Sequence, residues 1–175
     1  MKPVLTLMAA LVLSATPLLA HGVKKDGLEI IHPNIPAPAA SAKSAAGYMA
    51  IANDGATPDR LIAVEMEVAQ SVMLHTTEHG ADGVARMKHL ESVDIPAGET
   101  VVLEPGGMHV MLMGLTATLS EGDMVPGTLV FEQAGRVAVE FMVDPPGAAA
   151  HDHAAMGHGA AGHDAAPAAE GSAGN

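Results

Sequence analysis

The chain has 175 residues, with 20 acidic and eight basic side chains and a formal net charge of −12 at pH 7. This acidity argues against nucleic acid as a partner, because phosphate binding needs clustered Lys and Arg, and equally against an anionic membrane surface. The chain contains no cysteine, which excludes disulfides, thiolate metal sites and cysteine nucleophiles.

Residues 1–20 have the pattern of a secretory signal peptide. Lys2 supplies the positive end, Val4 to Leu13 supply the apolar run, and small residues lead to a cleavage point near Ala20. The apolar run is too short to be a lasting transmembrane helix, and no later segment is apolar enough to span a bilayer. We therefore predict an exported protein without stable membrane insertion, the alternative being an uncleaved anchor.

Residues 21–146 have the pattern of a single β domain. Short apolar runs alternate with turn signals such as Asn53-Asp54-Gly55, at a spacing typical of a sandwich or barrel. Outside the signal, no window has a convincing helical period. The predicted strands are Leu28–His32, Gly47–Ala52, Leu61–Glu67, Ser71–Thr76, Val84–Leu90, Thr100–Leu103, Met108–Gly114, Gly127–Gln133 and Val137–Val143.

Residues 147–175 form a low-complexity tail of mainly Ala, Gly, His and Asp. It has too few large apolar groups to offset the entropy of ordering, so we predict that it is disordered. A histidine-rich tract with carboxylates can chelate Cu(II), Ni(II) or Zn(II). We predict a weak secondary Cu(II) site there, the alternative being a solvating linker. Its candidate ligands are His151, His153, Met156, His158 and His163.

The strongest chemical signal is the segment from Met108 to Met113, which reads Met-His-Val-Met-Leu-Met. Side chains in a strand alternate between faces, so His109 and Met111 are expected to project from the same face. Val110 and Leu112 then point to the opposite face, into the core. This strand therefore presents an imidazole and a thioether side by side.

Two further residues, His75 and Met87, can complete a site on that face. His75 ends one predicted strand and Met87 lies on the next, so a hairpin would bring them together. Thioether sulfur favours Cu(I), whereas Ca(II) and Mg(II) prefer oxygen ligands. Structural zinc normally uses Cys, His or carboxylate, and a blue-copper centre needs a Cys. The residues thus predict one Cu(I) ion held by His75, Met87, His109 and Met111.

Each of these residues alone has an ordinary explanation, because a single Met usually fills a core and a single His usually lies at the surface. The combination, His75-x11-Met87-x21-His109-x-Met111, is more specific. It resembles the His-(Met)-x10-Met-x21-His-x-Met motif of the periplasmic copper chaperones of the copper chaperone A type, with Thr76 at the optional Met position.

This resemblance covers roughly residues 28–144. It implies a cupredoxin-like β-sandwich or barrel, a periplasmic location and Cu(I) binding by the four motif residues. The sequence has no Ser-His-Asp spacing and no Gly-rich phosphate loop, so we predict a binding protein, the alternative being a copper oxidase or superoxide dismutase. The resemblance also implies delivery of copper during cytochrome c oxidase assembly, to an oxidase copper domain or another copper chaperone. A periplasmic copper buffer without a dedicated client is the alternative.

The chain departs from the family pattern in two places. Asn34 follows His32-Pro33 where the family often has an aromatic residue. The hairpin segment reads Ala85-Arg86-Met87-Lys88-His89, where the family often has two Met residues around a Lys. His89 or Met73 could replace the missing thioether, although we interpret both as surface residues. Met113 is interpreted as packing beside the site.

Overall fold

The computed structural model describes residues 22–80 and 83–146. Within these ranges the chain is all-β, as predicted, and none of it forms a helix that could cross a membrane. The predicted signal peptide and tail lie outside the described residues, and so do the five candidate ligands of the tail.

Eleven strands make up the described part of the chain. All nine predicted strands are among them, most of them longer by one to several residues than the sequence pattern indicates. Their bounds are β1 Gly22–Lys25, β2 Leu28–Pro36, β3 Ser44–Asn53, β4 Asp59–Glu65, β5 Ala69–His79, β6 Ala85–Leu90, β7 Val93–Ile95, β8 Thr100–Leu103, β9 Met108–Leu115, β10 Met124–Phe131 and β11 Arg136–Asp144.

The two unpredicted strands, β1 and β7, are short. β1 pairs with β2 across a tight turn in which Asp26 and Gly27 have φ values of 51° and 86°. Positive φ at both central residues is the backbone of the commonest two-residue hairpin turn, for which Asp-Gly is a preferred sequence. β7 has three residues and pairs only with β4, which is too short for an alternating pattern to be recognised.

The strands form one continuous hydrogen-bonded series, in the order β6-β5-β9-β3-β2-β11-β10-β4-β7, with β1 on β2 and β8 on β3. β3 belongs to both layers, because its first half pairs with β9 and its second half with β8. β2 and β11 pair in parallel, and the other pairs are antiparallel. The result is the predicted cupredoxin-like sandwich, with β6 at one edge and β7 at the other.

The core lies between the layers and is almost entirely aliphatic. Alternate residues of β11, namely Val137, Val139, Phe141 and Val143, are buried as their spacing predicts. The Phe141 ring lies against Gly127, where an added Cβ would be 3.2 Å from the ring. A glycine there lets the ring pack tightly against the neighbouring strand.

The core also determines which side of β9 faces outward. Val110 and Leu112 are fully buried, in agreement with the sequence prediction. Burying a side chain of this size contributes about 1.5–3 kcal/mol relative to leaving it exposed. His109 and Met111 must therefore project from the outer face of the layer made by β6, β5, β9 and the first half of β3.

Candidate metal centre

His75 and His109 lie directly opposite each other on the paired strands β5 and β9. Opposite residues of an antiparallel pair project from the same face, so both imidazoles stand on the outer face. Their ring centroids are 5.9 Å apart and the ring planes are inclined at 78°. The structure thus brings together two predicted ligands that are distant in the sequence.

The β5–β6 hairpin forms as predicted, but with a register that the sequence did not indicate. His89, rather than Met87, lies opposite His75, and Met87 lies opposite Thr77. Met87 shares the outer face but sits one pair further along the strands. The rings of His89 and His75 are 5.9 Å apart, so three imidazoles form a row across β6, β5 and β9.

His109 is the most enclosed of these groups, with a relative exposure of 4%. Its Nδ1 lies 3.1 Å from the carbonyl oxygen of Gly107, in the turn that precedes β9. A carbonyl can only accept a hydrogen bond, so Nδ1 carries the proton and donates it. Nε2 is then the unprotonated nitrogen, and it is buried without a hydrogen-bond partner among the described residues. Fixing one ring nitrogen on a backbone carbonyl is the usual way in which proteins orient a metal-binding imidazole.

His75 also has a buried nitrogen, Nδ1, without a hydrogen-bond partner among the described residues. Burial lowers the pKa of the His75 imidazole, and electrostatic interaction with the neighbouring His109 and His89 rings lowers it further. The neutral ring with a free lone pair is therefore favoured. A metal must compete with protons for such a nitrogen, so a lowered pKa favours metal binding.

Buried nitrogen and oxygen atoms without partners are rare in proteins and call for an explanation. In the described part of the chain there are three such side-chain atoms, His75 Nδ1, His109 Nε2 and Asn34 Oδ1. Two of the three belong to predicted copper ligands. A cation that accepts both lone pairs would satisfy them, so the residues present fit the ion that the sequence predicts.

The methionines of the outer face surround the histidine row at different depths. Met111 and Met73 are opposite each other and both are half-buried. Met87 and Met113 are 64% and 42% exposed. Within residues 22–80 and 83–146, no group of three or more His, Cys, Asp or Glu side chains could hold a metal ion. The donors that lie beside the histidine row on this face are thioethers, which favour a soft ion such as Cu(I) over hard cations.

Tyr48, the only tyrosine of the chain, lies beside His109, which the sequence did not indicate. Its ring centroid is 6.5 Å from that of His109, and burial raises the pKa of its hydroxyl. It therefore stays neutral and helps to exclude water from His109. Its place on β3 beside β9 follows from strand pairing, for which the local sequence contains no signal.

An all-β domain with an outer face of imidazoles and thioethers is the architecture of a protein that binds soft metal ions. A family model described as "Putative lipoprotein LpqE-like" matches residues 28–143. The chain belongs to this family, which is of the copper chaperone A type.

Relatives of known sequence and structure agree with this assignment. "Putative lipoprotein Lxx21020" from Leifsonia xyli subsp. xyli (strain CTCB07) is 32% identical over 136 residues, which cover 72% of this chain and 80% of that protein. The copper-bound PCuAC domain from PmoF2 is 31% identical with a TM-score of 0.62, covering 72% of this chain and 99% of that domain. The solution structure of CuI-DR1885 from Deinococcus radiodurans is 32% identical with a TM-score of 0.55, covering 71% and 81% respectively.

The geometry around His75 predicts an unusual titration. In the metal-free protein its imidazole should titrate below 6.5, its ordinary value, as measured by NMR of the histidine ring protons against pH. Because the folded-state pKa is lowered, the stability linked to this group is complete above the unfolded value and is lost as pH falls through the folded one. The same signal in urea-unfolded protein is the control; a folded-state pKa at or above 6.5 would contradict the burial described here.

Proposed function

We propose that this chain is an exported, periplasmic copper metallochaperone that binds one Cu(I) ion through His75, Met87, His109 and Met111. The observation that carries the proposal is the pair of facing imidazoles of His75 and His109 on a face rich in thioethers. Each ring has a buried nitrogen without a hydrogen-bond partner in the described part of the chain. The copper-bound structure of the related PmoF2 domain supports copper as the metal, and the CuI-DR1885 structure supports Cu(I) in particular.

The donor set suits binding that is tight and yet reversible. Thioethers are neutral and need no deprotonation, so only the two histidines would link Cu(I) binding to pH. In an exported protein they also keep their ligand character where free thiols would oxidise to disulfides. The site lies at the outer surface, with Met87 at its rim, so a partner's ligand can reach the ion directly.

We infer that the protein is a carrier rather than an enzyme. Among the described residues of β5, β6 and β9, the cross-strand pairs that flank the histidine row are Met73 with Met111 and Thr77 with Met87, and neither pair supplies a carboxylate as a general base. Without a thiolate ligand, the site should hold Cu(I) without cycling it efficiently through Cu(II). The chemistry that remains is binding and transfer.

The sequence and the relatives support the proposed location and client. Residues 1–20 have the pattern of a signal peptide, and a relative named as a lipoprotein fits an exported protein. The resemblance to copper chaperone A proteins supports a cytochrome c oxidase copper domain, or another copper chaperone, as the proposed acceptor. The acidic surface suits an encounter with a basic partner.

Two substitutions test the site directly. His109→Ala and Met111→Leu should each weaken Cu(I) binding by about tenfold or more, which is about 1.4 kcal/mol, in an anaerobic competition against a Cu(I) chelator. The wild type should bind one ion per chain. Met124→Leu is the matched control, because Met124 is also exposed but lies on β10 in the other layer. Wild-type affinity in His109→Ala would overturn the proposal.

A transfer assay separates a chaperone from a buffer. The Cu(I)-loaded protein is mixed with the apo copper domain of a cytochrome c oxidase, and the transfer rate is compared with release to a chelator of equal affinity. A chaperone should transfer faster than it releases, because the partner's ligands enter before the ion departs. Equal rates would instead support a periplasmic copper buffer without a dedicated client.

The tail prediction is tested by deletion. Removing residues 147–175 should lower the Cu(II) stoichiometry and leave the Cu(I) stoichiometry near one, because histidines and carboxylates favour Cu(II) while the thioether site lies in the β domain. Replacing His151, His153, His158 and His163 together with Asn should have the same effect without shortening the chain. Unchanged Cu(II) uptake in both variants would indicate a solvating linker.

A further inference from the structure

Met73, which the motif does not include, lies on the inner strand β5, whereas the motif residue Met87 lies on the edge strand β6. On β5 and β9, Met73 lies opposite Met111, and the next pair on the same face is His75 opposite His109. Two consecutive cross-strand pairs thus present two thioethers and two imidazoles. These four residues, from two strands, supply the same two imidazoles and two thioethers as the four motif residues, which come from three strands.

The dimensions of a sheet place these four residues around one point. Opposite Cβ atoms are about 4.5–5.5 Å apart, and the next pair on the same face is about 7 Å away along the strands. Met87 is on the third strand, opposite Thr77, and so on the other side of the histidine row. With strands about 4.8 Å apart, its backbone is about 10 Å from β9.

Met73 and Met87 also differ in their exposure to solvent. Met73 is half-buried on β5, which is flanked by a strand on each side, whereas Met87 is 64% exposed on the edge strand β6. A buried thioether is shielded from an incoming ligand, and an exposed one is open to it. Met73 is therefore suited to retention of the ion and Met87 to its exchange.

We propose that Met73 and Met87 are alternative ligands for one coordination position, which makes Met73 a fifth copper-binding residue of this chain. Met73, His75, His109 and Met111 hold the stored ion, and Met87 replaces Met73 when the ion moves toward the rim for transfer. This inference rests on the proposed function, because both need a Cu(I) ion at the facing histidines.

The exchange is chemically balanced. The Cu–S bond to Met73 breaks as the Cu–S bond to Met87 forms, and the copper stays Cu(I) throughout. Both thioethers are neutral, so no proton or charge moves with the ion. Methionine has three rotatable bonds and a polarisable sulfur, so its thioether can be repositioned by side-chain rotation.

A double-mutant cycle tests the exchange. If the two sulfurs substitute for each other, Met73→Leu and Met87→Leu should each weaken Cu(I) binding only modestly. The double variant should lose about tenfold more affinity than the product of the two single losses. Leu conserves the volume of Met, which keeps the effect on folding small, and thermal melting of each apo variant checks this. Met113→Leu is the matched control: it shares the outer face but lies opposite Ser71, one pair beyond Met111.

A second measurement shows whether sulfur binds copper or merely packs beside it. With methyl-labelled methionine, one equivalent of Cu(I) should shift the Met73 methyl signal in the wild type, and more strongly in Met87→Leu. X-ray absorption should detect two sulfurs per copper in each single variant and one in the double variant.

The inference is overturned if Met73→Leu/Met87→Leu binds Cu(I) no more weakly than Met87→Leu, or if combining Met113→Leu with Met87→Leu gives the same excess loss. Failure of the proposed function would look different, because His109→Ala would then bind Cu(I) as tightly as the wild type.

Discussion

His75 and His109 face each other because β5 and β9 pair in one particular register, and the whole site depends on that pairing. The alternate positions of the same two strands are occupied by Leu74, Val110 and Leu112, whose relative exposure is 3% or less. A slip of one residue would carry these aliphatic groups to the outer face and the histidines inward. At about 1.5–3 kcal/mol for each aliphatic side chain, the core enforces the register that the metal site needs.

The same register imposes a cost on the metal-free domain. A buried polar atom that loses its hydrogen bond costs roughly 1–3 kcal/mol, and the site contains two such nitrogens, His75 Nδ1 and His109 Nε2. The lowered pKa of His75 has the same origin, because burial also disfavours a proton there. An ion that accepts both lone pairs would relieve this cost. In the proposed Cu(I) site, that relief would contribute to the affinity for the ion.

Sequence reasoning could predict which side chains share a face, because alternation along a strand is local. It could also predict the composition of the core, as Phe141 and Val139 illustrate. It could not predict which strands are neighbours: Tyr48 and Met73 reach the site through pairing with β9, which depends on the whole fold.

The hairpin illustrates the same limit at short range. Its existence was predictable from two β-rich runs separated by a loop, yet its register was not. The Gly80 N–H donates to the Val84 carbonyl, and the hairpin closes in the register that places His89, and not Met87, opposite His75. A shift of two residues would leave the alternation unchanged. The motif spacing identified Met87 as a ligand candidate, and the structure places Met87 diagonally across the hairpin from His75.

The candidate donors differ in their exposure to solvent, from His109 at 4% to Met87 at 64%. In the proposed site, the enclosed imidazole is anchored on a backbone carbonyl and the outermost thioether is on an edge strand. An acceptor would therefore meet the most exposed donor first and the most enclosed one last, which would give release a direction.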